Sequence, residues 1–129
     1  MTALRNAPLS DAATTALLVV DVQYEVAAYG HGDLADYDRE SLPEEKRYYM
    51  DRIERVMLPN IRALQDAFRA AGSEVLFTTV ENLTDDGRDR SLDYKVSGIN
   101  VARGSKEAQV LEQVAPQGDE IRFAKSTSS

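Results

Sequence analysis

Two residues of opposite charge end two apolar runs far apart in the chain. Ala16-Leu17-Leu18-Val19-Val20 stops at Asp21-Val22-Gln23, and Glu120-Ile121-Arg122-Phe123-Ala124 stops at Lys125. In open parallel α/β sheets the carboxyl ends of the strands form the crevice in which ligands bind, so an acid and an amine placed there make a site candidate. Either residue alone has a plainer role, Asp21 as a cap of the turn that follows and Lys125 as a solvated strand end. The pair is more specific than its members. Gln23, two residues after the acid, is placed either to tie the following loop to its neighbours or to face a substrate. No cysteine is present to serve as nucleophile or thiolate ligand, and the lone histidine, His31, cannot build a histidine-rich metal site.

The elements that would carry these residues alternate. Residues 16–20 are apolar at every position, the pattern of a strand covered on both faces and therefore central in a parallel sheet. Residues 24–47 lose periodicity and read as a long loop over the strand ends, with Tyr24, Tyr29, Tyr37, Tyr48 and Tyr49 on or near it to line a pocket or cover the core edge. From 48 to 71, Ile53, Val56, Met57, Ile61, Leu64, Ala67, Phe68 and Ala71 fall three and four apart and predict one long helix, kinked near Met57 by Pro59 and closed by Gly72. Residues 74–80 form the second strand, which delivers Glu81 and Asn82 as a further strand-end pair for substrate contact or capping. A polar loop over 85–103, a short helix over 105–114 and a third strand over 120–124 complete the order strand, helix, strand, helix, strand. Right-handed crossovers then give a Rossmann-like parallel sheet with helices on both faces. Residues 1–14 read as an arm. A fully apolar first strand needs neighbours on both sides, so the sheet is expected to be incomplete in this chain, with further strands supplied from elsewhere.

With 129 residues, 43% of them hydrophobic, the chain suits one domain. Its 22 acidic and 15 basic residues, a formal charge of -7, argue against nucleic acid or an anionic membrane as a partner. No stretch has the length of a membrane span or the apolar core of a signal peptide, so the expected location is the cytoplasm. A rival of another class is the receiver domain of two-component signalling, similarly long and doubly wound. It needs a phosphorylated acid after a central strand, and Asp51, the candidate, sits in a helical pattern with no apolar strand leading into it.

Taken together, Thr15 to Gln23 with its Asp-x-Gln signature, the 60–72 helix with Val75-Leu76-Phe77-Thr78, and the runs Asp86-Gly87-Arg88-Asp89-Arg90-Ser91-Leu92-Asp93-Tyr94-Lys95 and Lys125-Ser126-Thr127-Ser128-Ser129 resemble the isochorismatase-like cysteine hydrolases, in particular an amidohydrolase-like branch. The resemblance implies a three-layer α/β fold of which residues 1–129 are the N-terminal part. It implies cleavage of a small-molecule C–N bond by an Asp-Lys-Cys triad, with Asp21 and Lys125 on the first two positions and the cysteine in a C-terminal continuation or second chain. Gln23, Tyr24, Tyr29, Glu81 and Asn82 are the candidate substrate contacts. Neither cofactor nor metal is expected: where the zinc-binding branch uses histidines, this chain offers His31, with Glu81 near a histidine position. A homo-oligomer is expected. The alternatives within the resemblance are an isochorismatase-type hydrolase that works without cysteine and an inactive binding or regulatory homologue.

Overall fold

The computed structural model describes residues 11–128. Of the arm expected over 1–14, residues 1–10 lie outside the described part; Asp11 accepts from the Ala13 amide and caps a single 3-10 turn, Ala12–Thr14. Strands β1 (Ala16–Val20), β2 (Glu74–Val80) and β3 (Arg122–Lys125) form one parallel sheet in the order β1-β2-β3. Val80 pairs with Lys125, so β2 and β3 end level, while β1 ends at Val20 opposite Thr78, and Asp21 follows it toward the same edge. Among the described residues β1 is an edge strand and β2 the central one, so within this chain β1 has a neighbour on one side only. Its run of apolar residues does not signal cover on both faces here: Val19 is buried, whereas Leu18 and Val20 are 51% and 55% exposed.

Val75 and Phe77 alternate with exposed or half-exposed residues along β2 and join Val19 in the core, as the period of two along a strand requires. Over this face lies a helical run: α2 (Glu44–Arg52), a π turn (Ile53–Met57) and α3 (Leu58–Ala70). It begins four residues earlier than the 48–71 expectation and meets the predicted distortion at Met57. Pro59 has no N–H for the carbonyl four residues back, and the helix widens immediately before it, with the Leu58 amide bonding to Ile53 O. One apolar position is exchanged: Leu64 is 48% exposed, and Gln65 takes the buried place, donating to Val114 O at 2.8 Å.

The stretch expected as a loop contains α1 (Tyr24–Ala27) and a 3-10 turn, Gly32–Leu34. A helix, α4 (Leu92–Ser97), stands inside the polar segment expected to be irregular, and is closed by Gly98 at φ 81°. The helix expected over 105–114 is not formed. Ala108, Val110, Leu111 and Val114 are buried, but the backbone around them is taken by the chain leaving β1. Tyr24 N–H donates to Gln109 O, and Leu111 N–H donates to Val22 O. Only a 3-10 turn, Glu112–Val114, remains. The third strand begins two residues later than expected and takes in Lys125 itself. Asp51 lies on α2, paired with Arg55 at 2.7 Å, which removes the acceptor of the signalling reading. Among the described residues no helix is long and apolar enough to cross a membrane.

Candidate active site

Past the end of β1 the Asp21 amide still donates to Thr78 O at 2.9 Å, continuing the ladder by one residue. The backbone then turns through φ 56° at Asp21, a left-handed conformation that Asp tolerates better than most residues. That turn sends the two functional side chains in different directions. The Asp21 carboxylate lies across the tip of β2 and accepts from Thr78 Oγ1 at 3.0 Å and from Lys125 Nζ at 2.7 Å. The acid and the amine, 104 residues apart, meet over the central strand with side chains 28% and 17% exposed. The remaining donors of Lys125 face the carbonyls of Thr127 at 3.1 Å and Ser128 at 3.5 Å, which fold back over the end of β3.

Gln23 is 1% exposed and works as a piece of backbone. Its amide nitrogen donates to Val80 O and Glu107 O, and its oxygen accepts from Val80 N–H at 2.7 Å. The side chain thereby ties the segment after β1 to the end of β2 and to residues 107–110, which is the tying role the sequence offered as the alternative to substrate contact. Asn82 is likewise buried, its amide donating to Asn100 Oδ1 at 2.7 Å and its backbone N–H to Val101 O. Glu81 accepts from the Gly104 amide and pairs with Arg122 at 3.4 Å, so its carboxylate turns away from Asp21. Tyr24 stacks edge-on to His31 and lies under Lys106 Nζ, 4.1 Å from the ring centre; Tyr29 faces Arg39. Neither tyrosine lines the cavity that contains Asp21.

That cavity is small, about 180 Å³, and lies at the carboxyl ends of the strands. Two of its walls were not singled out from sequence. Glu25, in the first turn of α1, and Asp33, in the following 3-10 turn, add two more acids to its lining. Glu25 is four residues after Asp21, a spacing that shares a face only if the chain turns helical there, and the sequence around it carries no helix signal. Tyr94 on α4, 5% exposed, forms an aromatic wall and places its hydroxyl 3.4 Å from Ser128 Oγ. Val26, Val80, Ile99 and Val101 supply the cavity's apolar lining, and Gln23 borders it as well. Burial, with the charges of Asp33 and Glu107 nearby, holds the Glu25 carboxyl above the ordinary range. Gly32, at φ 44°, lets the chain pass close to the Glu25 backbone: a Cβ there would stand 2.0 Å from Glu25 O.

The loop after β2 is fixed by Asp89, which accepts from the amides of Leu83 and Thr84 and from the Thr84 hydroxyl; these hydrogen bonds hold its carboxyl well below the usual range. His31 bonds Glu107 at 2.9 Å, and among the described residues no group of acids and histidines is close enough to hold a metal ion. Chemically, the arrangement offers a carboxylate with an adjacent ammonium, bordering a cavity whose lining also includes Gln23, Glu25, Asp33 and Tyr94.

Residues 15–129 match the family model of the isochorismatase domain. No curated protein matches the sequence. A cysteine hydrolase from Pseudomonas syringae pv. phaseolicola superposes with a TM-score of 0.63 at 23% identity, over 93% of this chain and 52% of that one. N-carbamoylsarcosine amidase from Thermoplasma acidophilum gives 0.53 at 18%, over 86% and 51%. An isochorismatase-like hydrolase from Alkaliphilus metalliredigens gives 0.54 at 14%, again over 86% and 51%. At these identities the likeness is one of fold, and the chain spans about half the length of the solved structures it matches.

Proposed function

This chain belongs to the isochorismatase family, and we propose that it carries the acid and the amine of a hydrolase that cleaves the C–N bond of a small amide or ureide. Asp21 is the general base, Lys125 its cationic partner, and a cysteine from polypeptide beyond this chain, a continuation or a second chain, is the nucleophile. The observation that carries the reading is the 2.7 Å contact between Lys125 Nζ and Asp21 Oδ2 at the mouth of a cavity.

In the first step the thiol proton passes to the Asp21 carboxylate, and the thiolate attacks the carbonyl carbon. The C–N bond breaks as Asp21 returns that proton to the leaving nitrogen, and ammonia or an amine departs. Water then attacks the thioester, gives a proton to Asp21 and releases the acid, and the thiolate recovers the proton. A carboxylate of ordinary pKa about 3.9 facing a thiol of about 8.5 leaves a gap of about 6 kcal/mol, and a fixed ammonium narrows it by favouring the thiolate. Thr78 and Lys125 fix the two oxygens of Asp21, so the base is oriented before substrate arrives.

The test is release of ammonia or amine from a panel of small amides and ureides by the protein together with its C-terminal part. Hydrolysis that is lost on thiol alkylation, with a thioester adduct in the intact mass, is the expected result. Purified protein should also exceed the 14.3 kDa of this chain or carry a second fragment. The absence of cysteine from all 129 residues favours one second reading, hydrolysis of an isochorismate-type substrate without a thiol. Turnover that survives alkylation would select it.

A further inference from the structure

The ammonium of Lys125 has three donors, and only one of them goes to Asp21. The other two face the carbonyls of Thr127 at 3.1 Å and Ser128 at 3.5 Å. A lysine is a point charge on a flexible four-carbon stem, so its direction is set by whatever fixes its acceptors. Those two acceptors lie past the sheet: the Glu81 amide donates to Lys125 O at 3.0 Å, and β3 itself ends at Lys125. What holds them is the loop after β2. Ser126 is tied to that loop twice, its hydroxyl donating to Asp89 O at 3.1 Å and its carbonyl accepting from the Ser91 amide at 3.1 Å. The Asp89 carboxylate in turn accepts from the Leu83 amide at 2.8 Å, the Thr84 amide at 3.1 Å and the Thr84 hydroxyl, which closes the loop onto the end of β2. An unbroken path of hydrogen bonds thus runs from β2 through Asp89 and Ser126 to the residues whose carbonyls receive Lys125.

We propose that Asp89 is a positioning residue for Lys125, acting through Ser126 on the two carbonyls that aim the ammonium at Asp21. The positioning role rests on the hydrolase reading, whereas the path of hydrogen bonds is a property of this chain alone. With the path intact, Lys125 Nζ is held by Asp21 on one side and by two fixed carbonyls on the other, and its charge stays where the proton transfer needs it. Misplacement by about 1 Å costs a well-aligned reaction up to about a hundredfold. Without the Asp89 carboxylate the loop loses its closure on Leu83 and Thr84, and residues 126–128 lose their support. Lys125 then keeps its charge and loses its direction.

Turnover and lysine labelling test this separately. In the protein with its C-terminal part, Asp89→Ala is expected to lower kcat about thirtyfold with KM within about threefold, because alignment is lost while charge and substrate contacts stay. Ser126→Ala should lower kcat about tenfold, and Ser126→Thr, which keeps the hydroxyl, should stay within about twofold of the parent. The second readout needs no turnover: trace acetylation with acetic anhydride, followed by peptide mass, compares Lys125 with Lys46 and Lys106 on other segments. Asp89→Ala and Ser126→Ala should each raise labelling of Lys125 at least about threefold and leave the other two unchanged, as local release of one segment requires. Hydrolysis that depends on Asp21 and Lys125 but is untouched by Asp89→Ala and Ser126→Ala overturns the positioning role and leaves the hydrolase reading standing. A loss in Ser126→Ala that Ser126→Thr shares to the same extent overturns it too. Labelling of Lys125 that rises in both variants while no amide is hydrolysed upholds the path and overturns the hydrolase reading instead. Should Asp89→Ala unfold, with all three lysines labelled faster, Ser126→Ala against Ser126→Thr decides.

Discussion

Two ion pairs at opposite ends of the sheet are of similar burial and differ in what else surrounds them. At the amino end Arg69, in the last turn of α3, meets Glu120 just before β3 through two parallel bonds of 2.7 and 2.9 Å, with side chains 17% and 15% exposed. Glu120 also accepts from the Gln117 amide, so both its oxygens are occupied by protein. At the carboxyl end Lys125 and Asp21 are 17% and 28% exposed, but their bond is single, the acid sits on a left-handed residue, and a cavity opens beside it. A forked arginine pair locks two elements together; Asp21 is held by one bond to each oxygen, from Thr78 and Lys125, on a left-handed residue that borders a cavity, which is what the proposed proton transfer asks of it. Chemistry is assigned here by surroundings, since the two pairs share charge type and depth.

The sharpest way to break the contrast is to remove one partner at each end. In the protein with its C-terminal part, Asp21→Asn and Lys125→Ala should each lower kcat/KM by at least about 10³, or about 4 kcal/mol, while the urea midpoint hardly moves. Asn is the apt replacement because it too accepts a positive φ. Activity within about tenfold of the parent, or loss of the fold, would make this pair as structural as its counterpart.

The two buried glutamines extend the comparison to stability. Gln23 makes three hydrogen bonds to backbone, whereas Gln65 donates one and leaves its Oε1 without a partner. Gln23→Leu should therefore cost about 3 kcal/mol and Gln65→Leu about 1 kcal/mol, read as shifts in urea midpoint at constant slope. Equal costs would show that the carboxyl end is no more tightly bound together than the helix-covered core.

Arg69→Met and Glu120→Gln should each cost about 1–2 kcal/mol, between the values for exposed and fully buried pairs, with kcat/KM unchanged. The forked contact with Arg69 holds the Glu120 carboxyl below its ordinary range. A lowered folded-state pKa gives stability that is fully present above the unfolded value, near 4.3, and is lost as pH falls through the folded one. Thermal midpoints followed from pH 7 to pH 3 should drop less steeply for Glu120→Gln than for the parent. The smallest effect should come from Leu64→Gln, within about 0.5 kcal/mol, because Leu64 lies half in solvent while its neighbour fills the core.

Much of this was legible from residue order. The strand that carries Asp21 and the second strand have the expected limits, since short apolar runs bounded by turn residues are local signals, and the distortion ahead of Pro59 follows from its missing N–H. The meeting of Asp21 and Lys125 follows from the parallel direction of the strands, because both residues were placed at carboxyl ends. Spacing could not show that residues 105–114 would forgo a helix. Their apolar positions suit one, but the amides and carbonyls there are claimed by Val22 and Tyr24, far away in the chain. Nor could it show that Gln23 would act as backbone, that Gln65 would displace Leu64 from the core, or that Glu25, Asp33 and Tyr94 would share a cavity with Asp21. By itself the sequence determined the α/β order, the strand ends and the two charged residues they deliver, because periodicity and chain direction are local. Which side chains surround that pair was decided only by the tertiary structure, because hydrogen bonds and burial between distant segments depend on what each segment meets.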